Sequence, residues 1–190
     1  MISRVTRNLA PKTIAPLAYP YSLDKYSMAS RSKLLYKENG DYDPETIKYN
    51  FHILLQPGDK YRGVAQIAMN LQQRGDTFLD FQGQDIRNLV VNGKTIENME
   101  NIFTKGRINL NQNLLVSGVN HICVHYENKY DKDGSGCVSF TDVDGKQYLY
   151  TQFEPYMGNR VFPMFDQPDL KAKMNLTISC PASWEAVLSN

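Results

Sequence analysis

An all-β fold, an antiparallel sandwich or saddle, is what the sequence predicts, and three observations lead to it. From about Thr46 onward apolar residues alternate with polar ones at a period of two, which is typical of half-buried strands. Glycine-containing turns separate these alternating segments at short intervals. No long segment carries the apolar periodicity of an amphipathic helix, the heptads of a coiled coil or an internal repeat.

The first two strands are predicted at 48–54 and 61–71. In the first, Tyr49, Phe51 and Ile53 fall on one face. A turn at Gly58-Asp59 then leads into the second, which has the same alternation. The two segments are therefore expected to pair as a hairpin or meander.

The remaining strands follow in the same way. Asn92-Gly93 is the strongest short-range hairpin signal in the chain. Strands are predicted, in order, at 78–81, 86–91, 108–110, 121–126, 147–152 and 174–179.

Composition limits the classes of protein that fit. The chain has 190 residues, 42% of them hydrophobic, which is enough for one domain with a sizeable core and too few for two full ones. Its formal net charge of +1 gives no field that would recruit nucleic acid or an anionic membrane surface. No apolar run approaches the roughly 18 residues that a membrane span needs. The 3 cysteines are an odd number without a closely spaced pair, which favours a reducing, intracellular environment.

Residues 1–45 differ in composition from the rest and are predicted to form a separate irregular arm. Arg4, Arg7 and Lys12 precede the first acidic residue, Asp24, a pattern that resembles a mitochondrial targeting leader. Two other interpretations stay open. The segment could be a disordered basic arm rich in serine, or an arm that a partner surface holds, because it has too little apolar surface to order itself.

Three motifs near the C-terminus carry a family resemblance. They are Thr151-Gln152-Phe153-Glu154-Pro155, Arg160-Val161-Phe162-Pro163 and the run from Phe165 to Ala172. Together they closely resemble the N-terminal domain of the aminopeptidase N family of zinc metallopeptidases. Weaker matches earlier in the chain, including Asp133-Gly134-Ser135-Gly136, extend the resemblance to residues 46–190. The resemblance implies a saddle-shaped β domain whose C-terminal strands are missing here.

The resemblance also implies a substrate contact. In the family, the side chain that matches Glu154, with Gln152 beside it, projects into the catalytic cleft and holds the free α-amino group of the substrate. A carboxylate that holds an ammonium in a partly desolvated cleft gains about 1.5–3 kcal/mol. The alternative is that Glu154 now lies at a plain surface or pairs with Arg160.

The other matching residues are interpreted as a structural rim. Pro163 and Pro168 fix the backbone in an irregular path, and Arg160 and Asp166 are plausible ion-pair partners within it. The sequence departs from the family pattern at Gly158-Asn159, where the family usually has Ala-Arg. That departure puts the electrostatics around Glu154 in doubt.

The zinc site of the family is not found in this sequence. Catalysis there needs a His-Glu-x-x-His helix and a further glutamate. His121-Ile122-Cys123-Val124-His125 has the outer spacing, but Ile122 stands where glutamate is required and the alternation predicts a strand. We therefore predict no catalytic residue, no metal ligand and no cofactor in this chain, with zinc relevant only if a separate catalytic domain exists.

Two functions follow as hypotheses. The first is a non-catalytic accessory subunit in a larger assembly, with other protein chains contacting the N-terminal arm and the open sheet edge near Asn190. The leader-like start of the chain makes a mitochondrial assembly one form of this hypothesis. The second is the N-terminal portion of a zinc aminopeptidase that removes N-terminal residues from peptides, with Glu154 as the amine anchor. A third reading, binding of peptide N-termini without hydrolysis, depends on Glu154 alone.

Overall fold

The computed structural model describes residue 35 and residues 46–167 and 170–188. Eleven strands and one 3₁₀ turn, Gly158–Arg160, form its elements. The strands are β1 (Ile47–Leu54), β2 (Lys60–Leu71), β3 (Thr77–Asp80), β4 (Asp85–Val91), β5 (Lys94–Thr95), β6 (Phe103–Thr104), β7 (Arg107–Leu110), β8 (Gly118–Lys129), β9 (Gly136–Thr141), β10 (Gln147–Gln152) and β11 (Lys173–Ser179). The all-β prediction is confirmed.

The largest sheet has six strands in the order β11-β1-β2-β8-β4-β5. Alternation along β1 and β2 puts one face of this sheet into the core, and the register aligns buried residues across strands. Phe51 lies opposite Ala65, which lies opposite Val124. Smaller sheets, β3-β7-β6 and β9-β10, complete the fold, and buried residues of all three sheets belong to one core cluster.

The predicted hairpins form. β1 pairs with β2 in antiparallel fashion, and β4 turns into β5 at Asn92-Gly93, where both residues have positive φ, at 51° and 80°. These angles are those of a type I′ turn, which an Asn-Gly pair adopts at little cost.

One pairing differs from the expected antiparallel architecture. β11 lies beside β1 and runs parallel to it, with Tyr49 opposite Met174 and Phe51 opposite Leu176. The sheet is therefore mixed. The chain returns to β1 only after more than 110 residues, so local sequence could not reveal the direction of this strand.

A close backbone approach explains one glycine in the sheet. Gly63 on β2 lies opposite Tyr126 on β8, and a Cβ at Gly63 would be 2.2 Å from the ring carbon Cζ of Tyr126. The tyrosine ring thus covers the glycine backbone and extends the core over it.

The N-terminal arm lies outside the described residues except at one point. Leu35 is only 5% exposed and belongs to the core cluster. Part of the segment predicted as a separate arm therefore contributes to the domain core. In the portion of the chain that the structure describes, no helix has the length and apolarity for crossing a membrane.

Candidate functional site

Gln152 and Glu154, the two residues that the resemblance marks for amine binding, lie at the end of β10. Gln152 is the last residue of the strand, and Glu154 begins the turn that follows. Both side chains are exposed. Within the described residues, neither side chain makes a hydrogen bond or an ion pair. We call them the Gln152–Glu154 pair.

The turn after Glu154 is fixed to the core by apolar contacts. Phe153 packs edge-on against Phe162, with ring centroids 5.9 Å apart. Phe162 in turn stacks on Phe51 of β1 at 4.3 Å. The Met157 amide donates to the Phe153 carbonyl at 2.7 Å, which closes the turn. Glu154 is therefore presented from a segment that is held on both sides.

Arg160 links this segment to the loop before β9. Its Nη1 donates to Asp131 Oδ1 at 3.3 Å and to both carboxylate oxygens of Asp133 at 2.8 Å. Its backbone carbonyl accepts a hydrogen bond from Asn128 Nδ2 on β8. Since the Arg160 side chain is only 19% exposed, these charge-assisted contacts are partly shielded from solvent.

The two carboxylates respond to this arginine differently. Hydrogen bonding from Arg160 lowers the pKa of Asp133 below its usual value. Burial raises the pKa of Asp131, even though the Cys137 amide and Arg160 favour its charged form. Desolvation thus outweighs attraction at the more buried of the two groups.

The prediction that Arg160 forms an ion pair with Asp166 is wrong, and so is the alternative in which Arg160 pairs with Glu154. In the described chain Arg160 turns to Asp131 and Asp133 instead. The Asp166 carboxylate accepts hydrogen bonds from the backbone amide of Asn159 at 2.9 Å and from its Nδ2 at 2.6 Å.

The departure from the family pattern at Gly158-Asn159 has a local explanation. A Cβ at Gly158 would be 2.8 Å from Met164 Sδ, so a larger residue needs that side chain to move. Asn159 is buried and bridges two groups, since its Nδ2 also donates to the Tyr156 carbonyl at 2.9 Å. An amide therefore holds Asp166 at the position where the family usually has an arginine.

The rest of the predicted rim lies along the core. Pro163 is buried, and the Phe165 amide donates to the Tyr49 hydroxyl at 3.0 Å. Pro168 lies outside the described residues. Its role as a rim residue stays a prediction.

An open cleft of about 530 Å³ lies between Arg160 and the segment that precedes β9. Gly136, which is opposite Gln152 in the β9–β10 pairing, is so close to Asp131 that a Cβ would stand 2.2 Å from Oδ2. The cleft offers charged and polar groups suited to binding: Gln82, Tyr130, Asp131, Lys132, Asp133 and Arg160.

Sequence reasoning assigned no role to the carboxylates of this cleft. The sequence places Asp133 in the Asp133-Gly134-Ser135-Gly136 turn motif, and no motif includes Asp131. The available signal was the pair of aspartates flanking a lysine just before that glycine-rich turn.

The histidines do not form a metal centre in the described chain. His121 and His125 are exposed on the outer face of β8, on either side of the half-exposed Cys123. His52, on the same sheet, contacts Ser179 Oγ at 2.8 Å. No three His, Cys, Asp or Glu side chains converge within the described residues.

Fold and motifs together point to one class of β domain, which forms the N-terminal part of M1 peptidases. Residues 44–190 match the family model of the Peptidase M1 N-terminal domain, and the chain belongs to this family. The resemblance seen in the Thr151 to Ala172 region is thereby confirmed. In this family the catalytic zinc site lies outside the N-terminal domain.

Known proteins support the same assignment. Aminopeptidase N of Streptomyces lividans is 36% identical over 137 residues, which is 71% of this chain and 16% of that protein. Putative aminopeptidase-2 of Caenorhabditis elegans is 37% identical over 65 residues, 33% of this chain and 3% of that protein. The chain therefore spans about a sixth or less of the length of these relatives.

Solved structures share the fold. The M1 zinc metallopeptidase of Deinococcus radiodurans superimposes with a TM-score of 0.55 and 15% identity, covering 76% of this chain and 34% of that one. Its E323A mutant gives a TM-score of 0.56 and 16% identity over 73% of this chain and 33% of that one.

Proposed function

We propose that this chain is a non-catalytic docking module that binds other protein chains in a larger assembly. One observation carries the proposal: among the described residues, none covers the core-facing side of β11. Met174 and Leu176 are 53% and 40% exposed, whereas Tyr49 and Phe51 beside them on β1 are 3% and 2% exposed. The apolar side chains of β1 are thus buried, and those beside them on the neighbouring strand β11 are exposed. We call the exposed side chains of Met174 and Leu176 the apolar row.

The outer edge of β11, which no described strand pairs with, runs beside this apolar row. β11 is the end strand of the six-stranded sheet within the described residues. Natural proteins shield such edges with charge, proline, bulges or a covering segment, because exposed donors and acceptors invite another strand. Met174, Leu176 and Ile178 offer none of these devices.

The N-terminal arm is proposed as a second contact surface. Leu35, the one described residue of the arm, packs in the core. Its basic, acid-free beginning supports a mitochondrial location for the assembly. Fusing residues 1–45 to a fluorescent protein tests the location, and diffuse cytosolic fluorescence would contradict it.

To test the docking role, the chain is expressed with a tag at a low level in the organism it comes from. It is then cross-linked to its neighbours and purified, and the cross-linked peptides are identified. We expect stoichiometric co-purification of other chains, with cross-links from Lys171, Lys173 or the arm. Recovery of the chain alone, free of other polypeptides, would contradict the docking role. The Met174→Asp variant puts a charge on the apolar row and should co-purify with less of the other chains.

A second candidate is the N-terminal portion of a zinc aminopeptidase, and the Gln152–Glu154 pair favours it. A carboxylate with no partner in the described chain, presented from a held turn, suits a substrate ammonium. The 36% identity to an aminopeptidase N supports this alternative. Reading the transcript beyond Asn190 tests it: a zinc helix downstream, or on a companion chain, is expected, and the candidate fails if neither exists.

The amine contact can be tested separately on this chain. Peptides with free N-termini are expected to bind more tightly than their acetylated counterparts, and Glu154→Gln should remove the difference. Lys146→Gln, at an exposed ion pair on the β9–β10 turn, is a matched control. Equal binding of both peptide forms would eliminate amine recognition.

A further inference from the structure

We infer that four cationic side chains on the solvent-facing side of the six-stranded sheet bind an acidic, extended segment of a partner protein. These side chains, which we call the cationic patch, are Lys60, Arg62, Arg87 and Lys129. The inference adds a second surface to the proposed docking role, and its evidence comes from β2, β4 and β8 rather than from β11. Three features lead to it: the convergence of cations on one glutamate, an irregularity in β4 and an excess of positive charge.

Three cations of the patch converge on the carboxylate of Glu127 in β8. Lys60 Nζ and Arg62 Nε, both from β2, lie 3.0 Å and 3.6 Å from its oxygens, and Arg87 Nη2 of β4 lies 3.2 Å away. The Glu127 side chain is only 9% exposed, whereas the side chains of Arg62 and Arg87 are 66% and 58% exposed. Hydrogen bonding from Lys60 lowers the pKa of Glu127 below its usual value. A charged glutamate therefore lies beneath cations that remain open to solvent.

An irregularity in β4 brings Arg87 into the patch. The pairing of β4 with β8 shifts between Ile86 and Asn88, so Arg87 is an extra residue that faces no residue of β8 in the register. Arg87 and Asn88 are both exposed in consequence, whereas strict alternation would turn one of them toward the core. Arg87 Nε also contacts Asp85 Oδ2 at 3.1 Å, so its guanidinium is held between two carboxylates. Bulges often re-aim a side chain in this way at functional positions.

The patch has more positive charge than its carboxylates neutralise. Lys129 lies directly opposite Lys60 in the β2–β8 pairing, and like charges in facing positions destabilise a sheet. Among the described residues, no carboxylate pairs with Lys129, and Asp59 in the turn before β2 forms no ion pair. Four cations are thus balanced by Glu127 and Asp85 alone within that part of the chain. An acidic ligand would relieve the remaining repulsion.

An acidic protein segment fits this patch better than a nucleic acid or an anionic membrane does. Alternate side chains of an extended segment are about 7 Å apart, which is also the spacing of Lys60 and Arg62 along β2. Glutamates at alternate positions can therefore each meet a patch cation, and arginine can hold a carboxylate through two hydrogen bonds. A dense array of phosphates would instead be repelled by Glu127 and Asp85, and the net charge of +1 supplies no wider attractive field.

Fluorescence polarisation with a labelled acidic peptide tests the inference. The probe has the sequence Glu-Ser-Glu-Ser-Glu-Ser, and its control has glutamine in place of each glutamate. With the full chain at low salt, we expect the acidic peptide to bind on the order of 10-fold more tightly than the neutral one. Its affinity should fall as salt is added, because exposed charges are screened.

Substitutions locate the binding surface. The double variant Arg62→Gln/Arg87→Gln should weaken binding of the acidic peptide on the order of 10-fold, because two exposed charge contacts are lost. Lys94→Gln/Lys105→Gln is the matched control, since it removes the same charge from two exposed positions outside the patch and should leave the affinity unchanged. Thermal unfolding checks that both double variants fold.

Absence of binding, equal binding of the two peptides, or equal loss of affinity in both double variants would overturn the inference. Tighter binding of a single-stranded oligonucleotide or of phosphatidylserine vesicles at the same salt concentration would overturn it as well. Neutralising the acidic residues that precede β1 should leave the affinity unchanged, and a gain would show that the arm itself occupies the patch, which contradicts a partner segment. These residues are Glu38, Asp41, Asp43 and Glu45.

The outcomes for the cationic patch and for the proposed docking role can be told apart. A chain that binds no acidic peptide but still recovers other chains from cells would refute the patch alone. A chain that binds the acidic peptide but recovers no other polypeptide would refute the docking role in cells and leave the chemistry of the patch standing.

Discussion

Arg160 and Asp133 form a two-oxygen contact at 2.8 Å across 27 residues of sequence. This contact ties the 3₁₀ turn after Glu154 to the loop before β9. Together with the ion pair between Arg160 and Asp131 at 3.3 Å, it holds the segment that presents Glu154.

Replacing Arg160 with methionine should destabilise the domain by about 1–3 kcal/mol, because it leaves the half-buried Asp131 carboxylate without its cation. Urea unfolding measures the loss. Asp131→Asn in the same background should recover part of it, since the amide carries no charge. A double variant no more stable than the single one would show that Asp131 is not the source of the cost.

The stability contributed by Asp133 should depend on pH. Its pKa is lower in the folded chain than its usual value of 3.8, so the contribution is fully present above that value and is lost as pH falls through the folded pKa. The stability difference between wild type and Asp133→Asn is therefore expected at neutral pH and should vanish in strong acid. Thermal unfolding between these limits measures it.

Asp131 should behave in the opposite sense. Burial raises its pKa above 3.8, so its ionisation opposes folding at neutral pH, and this cost disappears as pH falls below the unfolded value. Comparing the pH profiles of Asp131→Asn and Asp133→Asn checks the signs. Parallel profiles would contradict the different surroundings of the two carboxylates.

Gly63→Ala should destabilise the domain by about 1–3 kcal/mol, the range of overpacking in a dense core. The new methyl group would meet the Tyr126 ring at 2.2 Å. Tyr126→Leu combined with Gly63→Ala should recover part of the loss in a double-mutant cycle, measured by urea unfolding. Gln66→Ala, on the exposed face of the same strand, serves as control. Simple additivity of the two substitutions would argue against the contact.

Cys137 should resist alkylation in the folded protein. Burial raises the pKa of its thiol to about 12, so almost no thiolate is present near neutral pH. Mass spectrometry after iodoacetamide treatment should show labelling of the partly exposed Cys180 first and of Cys137 only after unfolding. Early labelling of Cys137 would contradict its burial.

The strands were predictable where burial alternates. β1 and β2 show a strict alternation of buried and exposed residues, and both were found from the sequence. β9 was missed because Gly136 to Ser139 are buried in succession, so no period of two is visible. The Asn-Gly hairpin was predictable because the turn requires those backbone angles whatever surrounds it.

Taken alone, the sequence determined the all-β class, the family and the candidate pair Gln152 and Glu154, because alternation and short motifs are local properties of the chain. Only the tertiary structure decided that β11 runs parallel to β1 and that Arg160 contacts Asp131 and Asp133 rather than Asp166. These are contacts between distant segments, and their energies depend on which groups the folded backbone brings within a few ångströms. The local periodicity of the sequence does not depend on these contacts and so cannot predict them.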